Sequence, residues 1–336
     1  MKAKIEKVFL LVLFLMTILL SKPDYNIKMG TVAPENSFWI EELNRVEQKI
    51  QDSTNGKIGF QIYPSGIQGD EVQMLRKMKL GQLDAASFTG VGLGRIVPDI
   101  RVFELPFLFK SYEEIDYIKK KLFDYFQKRF WKKGYYLASW GEVGFVYLFT
   151  KKKVRNVRDL RKLKIWLWKG DPLAKTVFNV LDIPAVSLPI NDVFTSLQTG
   201  LIEGAYISPY GSMAMQWYTK TDYIMKYPLT YSIGAVLINK DKFESIPKKH
   251  RKILIRETKQ GMSKITQKSR QDNQKSLKLL QENGLELIEV SEKAKSKYKQ
   301  AGEKTRRKLS GDLYSQEILD RVLNLLEEYR NKNQKQ

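Results

Sequence analysis

A chain of 336 residues with 43% hydrophobic and 12% aromatic content is long enough for two domains with buried cores and is not disordered. It has no cysteine and a single histidine, His250. That excludes disulfides, thiolate metal sites and cysteine nucleophiles, and argues against a transition-metal centre or a Ser-His-Asp hydrolase. The formal charge of +21 is scattered through segments such as "KKKVRNVRDLRKLK" (151–164) and "KYKQAGEKTRRK" (297–308). Scattered lysine reads as a solvated surface, with attraction to an anionic membrane as its functional alternative. No basic helix or aromatic platform points to nucleic acid.

The N-terminus is basic, "MKAKIEK", and continues into "VFLLVLFLMTILL" (8–20). This apolar run is short for a membrane span and suits the core of a signal peptide covering 1–21. Ser21 is the candidate last residue of that leader, although Leu19 fits the small-residue rule at a cleavage site poorly. The reading is export to the periplasm, with cleavage left open.

"NIKMGTV" (26–32) reads as a strand, and a helix is expected from Ser37 to about Thr54. "KIGFQIYP" (57–64) is a second strand, followed by a helix over "EVQMLRKMKL" that stops at Gly81. "LDAASF" (83–88) is a short buried strand. Such alternation argues for an α/β domain with parallel strands. "GVGLGR" (90–95) reads as a cleft loop or turn, its spacing being wrong for a nucleotide loop. "LPFLF" (105–109) is expected to be a buried core turn.

"YYLASW" (135–140) and "GFVYLFT" (144–150) are extended segments leading into a second lobe, and "SIGAVLIN" (232–239) leads out of it. In "KIWLWKGDP" (164–172), period-two alternation puts Trp166 and Trp168 on one face of a strand. Asp171 is placed to N-cap the following helix and Pro172 to occupy its first position. Two such rings at the carboxyl end of a strand are either core or ligand site. "VFTSLQTGLIEGAYIS" (193–208), with Asn191 as the expected N-cap, repeats the earlier helix-to-strand unit, Gly200 falling over Gly81. Two similar lobes would face each other across Phe88 and Thr89 on one side and Tyr206 and Ser208 on the other. From Pro247 to about Asn283 one helix of roughly 35 residues is expected, long enough at about 50 Å to brace both lobes. His250, within "KKHRK", is expected on its solvated surface. "SQEILDRVLNLLEEYR" (315–330) is amphipathic, with Ile318, Val322, Leu325 and Leu326 on one stripe.

"MGTVAPENS", "YPSGIQGDEVQMLRKMKLGQLDAA", "ELPFLFKSYEE", "VRDLRKLKI", "SLPINDVFTSLQTGLIEGA" and "LINKDKFESIP" follow in an order and spacing that resembles the DctP-type solute receptors of tripartite ATP-independent periplasmic (TRAP) transporters. The resemblance spans about residues 26–330. It implies a two-lobed periplasmic binding protein of type II-like α/β fold, with hinge strands and a long helix spanning both lobes. Such a receptor closes on a small molecule and delivers it to TRAP membrane subunits. The corresponding division is lobe I at 24–149 plus 233–262, lobe II at 150–232 plus 263–310, and a C-terminal helix at 311–330 returning to lobe I.

Three positions depart from the family pattern. Trp166 stands where typical members carry the arginine that forks onto a ligand carboxylate. Val146 stands where a second arginine follows "GF", and Tyr206-Ile207 replace a polar pair. The scaffold is kept and the carboxylate clamp is missing, so an apolar or aromatic ligand is expected. The candidate ligand-binding residues are Phe88, Trp140, Glu142, Val146, Trp166, Trp168, Ile190, Tyr206, Ile207 and Tyr210. Glu142 is the candidate counter-charge should the ligand be a cation over Trp166; otherwise it is a solvated loop carboxylate. No catalytic residue, metal ligand or cofactor is expected, since no nucleophile–base pair appears. The alternative is a periplasmic interaction protein on the same fold, acting with a partner lipoprotein and without small-molecule transport.

Overall fold

A computed structural model describes residues 23–333; the leader expected over 1–21 lies outside the described residues. The chain opens with β1 (Tyr25–Gly30), α1 (Phe38–Ser53), β2 (Ile58–Tyr63), α2 (Glu71–Lys79) and β3 (Ala85–Thr89). β1 pairs in parallel with both β2 and β3, as helical crossovers require. The Asp70 side chain accepts from the Val72 and Gln73 N–H groups, and Gln73 closes a capping box at the start of α2. A short helix, α3 (Gly90–Gly94), a 3₁₀ turn (Pro98–Glu104) and α4 (Tyr112–Lys132) complete this half before β4 (Tyr135–Thr150).

The second half holds α5 (Val157–Leu160), β5 (Ile165–Trp168), α6 (Pro172–Leu181), β6 (Ala185–Leu188), α7 (Val193–Thr199), β7 (Gly204–Ile207), α8 (Pro209–Ala214) and β8 (Tyr223–Met225). Then follow β9 (Thr230–Asn239), α9 (Lys240–Ser245), α10 (Lys248–Glu282), β10 (Glu286–Ile288), α11 (Glu292–Leu309) and α12 (Gln316–Asn333).

The sheet order β2-β1-β3-β9-β4-β7-β5-β6 joins the two lobes through β4. Its residues up to Val146 pair antiparallel with β9, and those from Tyr147 pair with β7. The two extended segments expected at 135–140 and 144–150 are therefore one strand. Sixteen residues exceed what one lobe uses, and register shifts at Leu137/Ser139 and Glu142/Gly144 bend the strand between them.

Each half of the sheet carries a core on both faces. In the first lobe Ala86 and Leu237 join Phe103, Phe126 and Leu137, while Ala85, Val236 and Ile238 join Ile27, Val46 and Ile265. In the second lobe Ile165 and Leu167 face one core, and Trp166 and Trp168 face the other. Strand alternation alone produces this division.

The 35-residue α10 packs on α1, on α8 and along β4, and so touches both lobes. Gly261 is its point of closest approach to α1: a Cβ there would collide with Val46. His250 departs from expectation. It is buried in the first turn of α10, while Lys248 and Lys249 beside it are exposed, because the helix turns one stripe inward even at its end. α12 packs on α4 through Ile318, Val322 and Leu326.

The repeated helix-to-strand unit is present in both halves. α2 and α7 end just before Gly81 (φ +70°) and at Gly200 (φ +78°), and a Cβ at either would meet nothing within 4 Å. Handedness of the backbone, not space, selects glycine there. Asn191 does not cap α7. A 3₁₀ turn (Ile190–Asp192) feeds the chain into the helix already wound, and the Asn191 amide points instead toward the Gly66 carbonyl of the other lobe, 3.5 Å away.

Candidate functional site

Between the lobes lies a cavity of about 190 Å³. Phe88 and Thr89 at the end of β3 and Val91 of α3 line it from one side, and β5 and β7 from the other. This is the crevice beyond the carboxyl ends of strands where open α/β sheets bind ligands. Trp166 is 1% exposed, and its indole N–H donates to the Leu188 carbonyl at 3.0 Å. Tyr206 stacks on it at 4.9 Å and Trp217 meets it edge-on at 5.3 Å. It is therefore a hydrogen-bonded core ring that also forms cavity wall. Trp168 lies 5.6 Å from Trp166, and its buried indole N–H has no partner among the described residues. Its backbone N–H donates to the Tyr206 hydroxyl oxygen at 3.2 Å; burial drives that phenol far above its ordinary pKa, so it stays neutral.

Phe88, Glu142, Val146, Trp166, Trp168, Ile190, Tyr206 and Ile207 all line the cavity; Trp140 and Tyr210 do not. Trp140 projects from β4 into the first lobe's core, edge-on to Phe103, Phe123 and Phe126. Register shifts on either side of Trp140, at Leu137/Ser139 and Glu142/Gly144, bend β4 there. Tyr210 sits behind the wall. Its ring packs on Phe38 and Trp39, its oxygen accepts the Phe38 N–H at 3.1 Å, and Trp39 is the ring that reaches the cavity. Ser208, named with the facing strands, is the buried N-cap of α8.

Glu142 is neither a solvated loop residue nor a free counter-charge. Its side chain is fully buried in β4, where Arg270 donates to both carboxylate oxygens at 2.7 and 2.9 Å and the Tyr231 hydroxyl donates at 2.8 Å. Lys119 approaches to 3.5 Å, its pKa lowered by burial.

The sequence reading missed a second cluster. Arg101, 3% exposed, places Nη2 2.9 and 3.1 Å from the two oxygens of Asp171 and 3.1 Å from Glu104. Asp171 does start α6 as expected, accepting from the Leu173 and Ala174 N–H groups, and it also carries this ion pair. Burial lowers the guanidinium pKa, but Asp171 and Glu104 outweigh that and leave it raised. Burial raises the Glu104 pKa, and the Arg101 guanidinium opposes that shift. The signal was two charges three residues apart inside the apolar "IRVFELPFLF". "GVGLG", expected to be a cleft loop or turn, is the one-turn α3, whose glycines make room for these groups. A Cβ at Gly90 would strike the Glu104 carboxylate, and one at Gly92 would strike Phe88 and Glu71.

Glu71 is buried and accepts from the Thr89 N–H at 2.8 Å, the Thr89 hydroxyl at 3.1 Å and the Gly92 N–H at 2.7 Å. Burial outweighs these bonds and pushes its pKa from 4.5 to about 7. The folded protein thus keeps a proton that the unfolded chain releases. The resulting stability is fully present below pH 4.5 and is lost as pH rises through about 7. The difference is on the order of 3 kcal/mol. Glu71→Gln should flatten the dependence of urea-unfolding free energy on pH across this window; an unchanged slope would show that another group titrates.

Among the described residues, no cluster of acidic or histidine side chains has metal-binding geometry. In solved structures the fold recurs. One is a TRAP periplasmic solute-binding protein from Ralstonia eutropha with bound (S)-2-acetolactate, at TM-score 0.85, 19% identity, 90% coverage of this chain and 99% of that chain. Another, from Desulfovibrio salexigens with bound orotic acid, aligns at TM-score 0.82 and 18% identity, covering 90% and 98%. In sequence, the C4-dicarboxylate-binding periplasmic protein DctP of Rhodobacter capsulatus is 23% identical over 248 residues, 71% of this chain and 72% of that protein. Residues 29–311 match the DctP family as a whole, so the chain belongs to family 7 of the bacterial extracellular solute-binding proteins.

Proposed function

We propose that this protein is the periplasmic receptor of a TRAP transporter and that its cleft takes a small, uncharged, apolar or aromatic molecule. One observation carries the ligand class. Among the described cavity-lining residues Arg101 is the single cation, set against four carboxylates, and it is already engaged by two of them. A ligand carboxylate entering here would be buried without a free cationic partner, at a cost of several kcal/mol. Trp166, Trp168, Phe88, Val146 and Ile207 offer apolar walls instead. The volume suits about one ring, since an apolar cavity of roughly 150 Å³ holds benzene in another protein. A cationic ligand over the indoles is the second reading, favoured by the excess of carboxylates.

The relatives solved with orotic acid and acetolactate took carboxylates, so the discriminating test is a calorimetric panel on the mature chain. Benzamide and benzyl alcohol should bind at least about 10-fold more tightly than succinate or galacturonate, a gap of about 1.4 kcal/mol. Micromolar succinate binding by the wild type would overturn the apolar reading, and preference for benzylamine would select the cationic one. Closure hinges, in this proposal, where β4 exchanges β9 for β7 at Val146/Tyr147, between lobes close to 24–149 plus 233–262 and 150–232 plus 263–310, and the closed form passes its ligand to membrane subunits. Ligand should contract the protein in solution scattering and shift its tryptophan emission.

A further inference from the structure

We propose that Asp171 and Glu104 set the charge selectivity of the cleft, by occupying Arg101 so that no ligand carboxylate can. The inference rests on the interlobe cavity being the ligand site, and it names the residues that decide which ligand charge is refused.

Arg101 belongs to the 3₁₀ turn of the first lobe, and Asp171 to the start of α6 in the second. Their contact crosses the cleft. The segment just before α6 is held a second time from the first lobe, where Arg95 donates to the Gly170 carbonyl at 2.7 Å. Arg101 nevertheless has donor capacity to spare: its buried Nε has no partner among the described residues. A guanidinium in an apolar cavity is the group best suited to bind a carboxylate in two-pronged fashion. Here its Nη2 instead meets three protein oxygens, two on Asp171 and one on Glu104. The arginine is built in and neutralised.

The arrangement allows charge to be removed without removing shape. Asp171 Oδ1 also accepts from the Leu173 and Ala174 N–H groups at 2.9 and 3.2 Å. Asparagine serves as an N-cap about as well as aspartate, so Asp171→Asn keeps α6 started while deleting one negative charge from Arg101. Glu104→Gln does the same from the first lobe, within the space that Gly90 leaves open.

The test compares benzoate with benzamide, a pair of one size that differs in charge, by calorimetry on the mature wild type, Asp171→Asn, Glu104→Gln and Asp171→Asn/Arg101→Met. The ratio of benzoate to benzamide affinity should rise at least about 10-fold in each single variant, the scale of one charge-assisted hydrogen bond. It should fall back in the double variant. A gain that survives Arg101→Met, or the absence of a benzoate gain from both single variants, overturns the proposal. Should Asp171→Asn not fold, Glu104→Gln decides alone. Failure of the apolar-ligand reading is seen separately, in the wild type, as tight binding of carboxylates.

Discussion

Glu142→Ala should destabilise the protein by about 3–5 kcal/mol, the usual effect of stripping the partner from a buried cation. Four elements converge on this one carboxylate: β4 carries it, Arg270 reaches it from α10, Tyr231 from β9 and Lys119 from α4. β4 and α10 reach both lobes, and β9 pairs with the first-lobe part of β4. Arg270 would retain Asp116, to which it donates twice at 2.7 Å on the exposed side. Among the described residues, Lys119 would keep the Tyr231 hydroxyl at 3.4 Å as its one hydrogen-bond partner. Glu142→Gln, which preserves shape and one acceptor, should cost less. Urea unfolding measures both, and a loss below about 1 kcal/mol for the alanine variant would mean that water or a shifted side chain replaces the carboxylate. Because the node ties the crossing segments together, the alanine variant should also broaden the distribution of lobe separations seen in solution scattering.

Trp166→Ala carries the other large effect, about 3–5 kcal/mol for deleting a fully buried indole. The substitution opens a void between Tyr206 and Trp217 and removes the indole donor to the Leu188 carbonyl, which keeps the Lys169 N–H at 3.0 Å. Lost ligand affinity in this variant therefore reports on folding as much as on contact. Trp168→Phe separates the two. That ring's N–H has no partner among the described residues to lose, so the variant should stay within about 1.5 kcal/mol of wild type while changing ligand affinity and ligand-induced fluorescence. Equal affinity for benzamide in wild type and Trp168→Phe would remove Trp168 from the ligand site.

As a member of a solute-binding family, the protein is a receptor and not an enzyme. The family is legible in ordered motifs along the chain, and so is most of the local structure. Period-two alternation put Trp166 and Trp168 on one face, Asp171 and Pro172 marked the start of α6, and the proline-free stretch after Pro247 marked the 35-residue α10. These features are local, set by the pleat, by capping and by the absence of breakers.

What the sequence did not show depends on which distant groups meet. Trp140 lies on a cleft strand but turns into the first lobe, where register shifts on either side of it bend β4. Glu142 could be solvated or paired on local grounds, and Arg270, 128 residues away, decides that it is paired. Arg101 and Asp171 stand 70 residues apart, and local sequence marks Asp171 only as a helix cap until the lobes bring the two to 2.9 Å. Local sequence therefore determined the scaffold and the aromatic wall. Tertiary structure decided the charge balance of the cleft, because a buried ion's state depends on partners that distant parts of the chain supply.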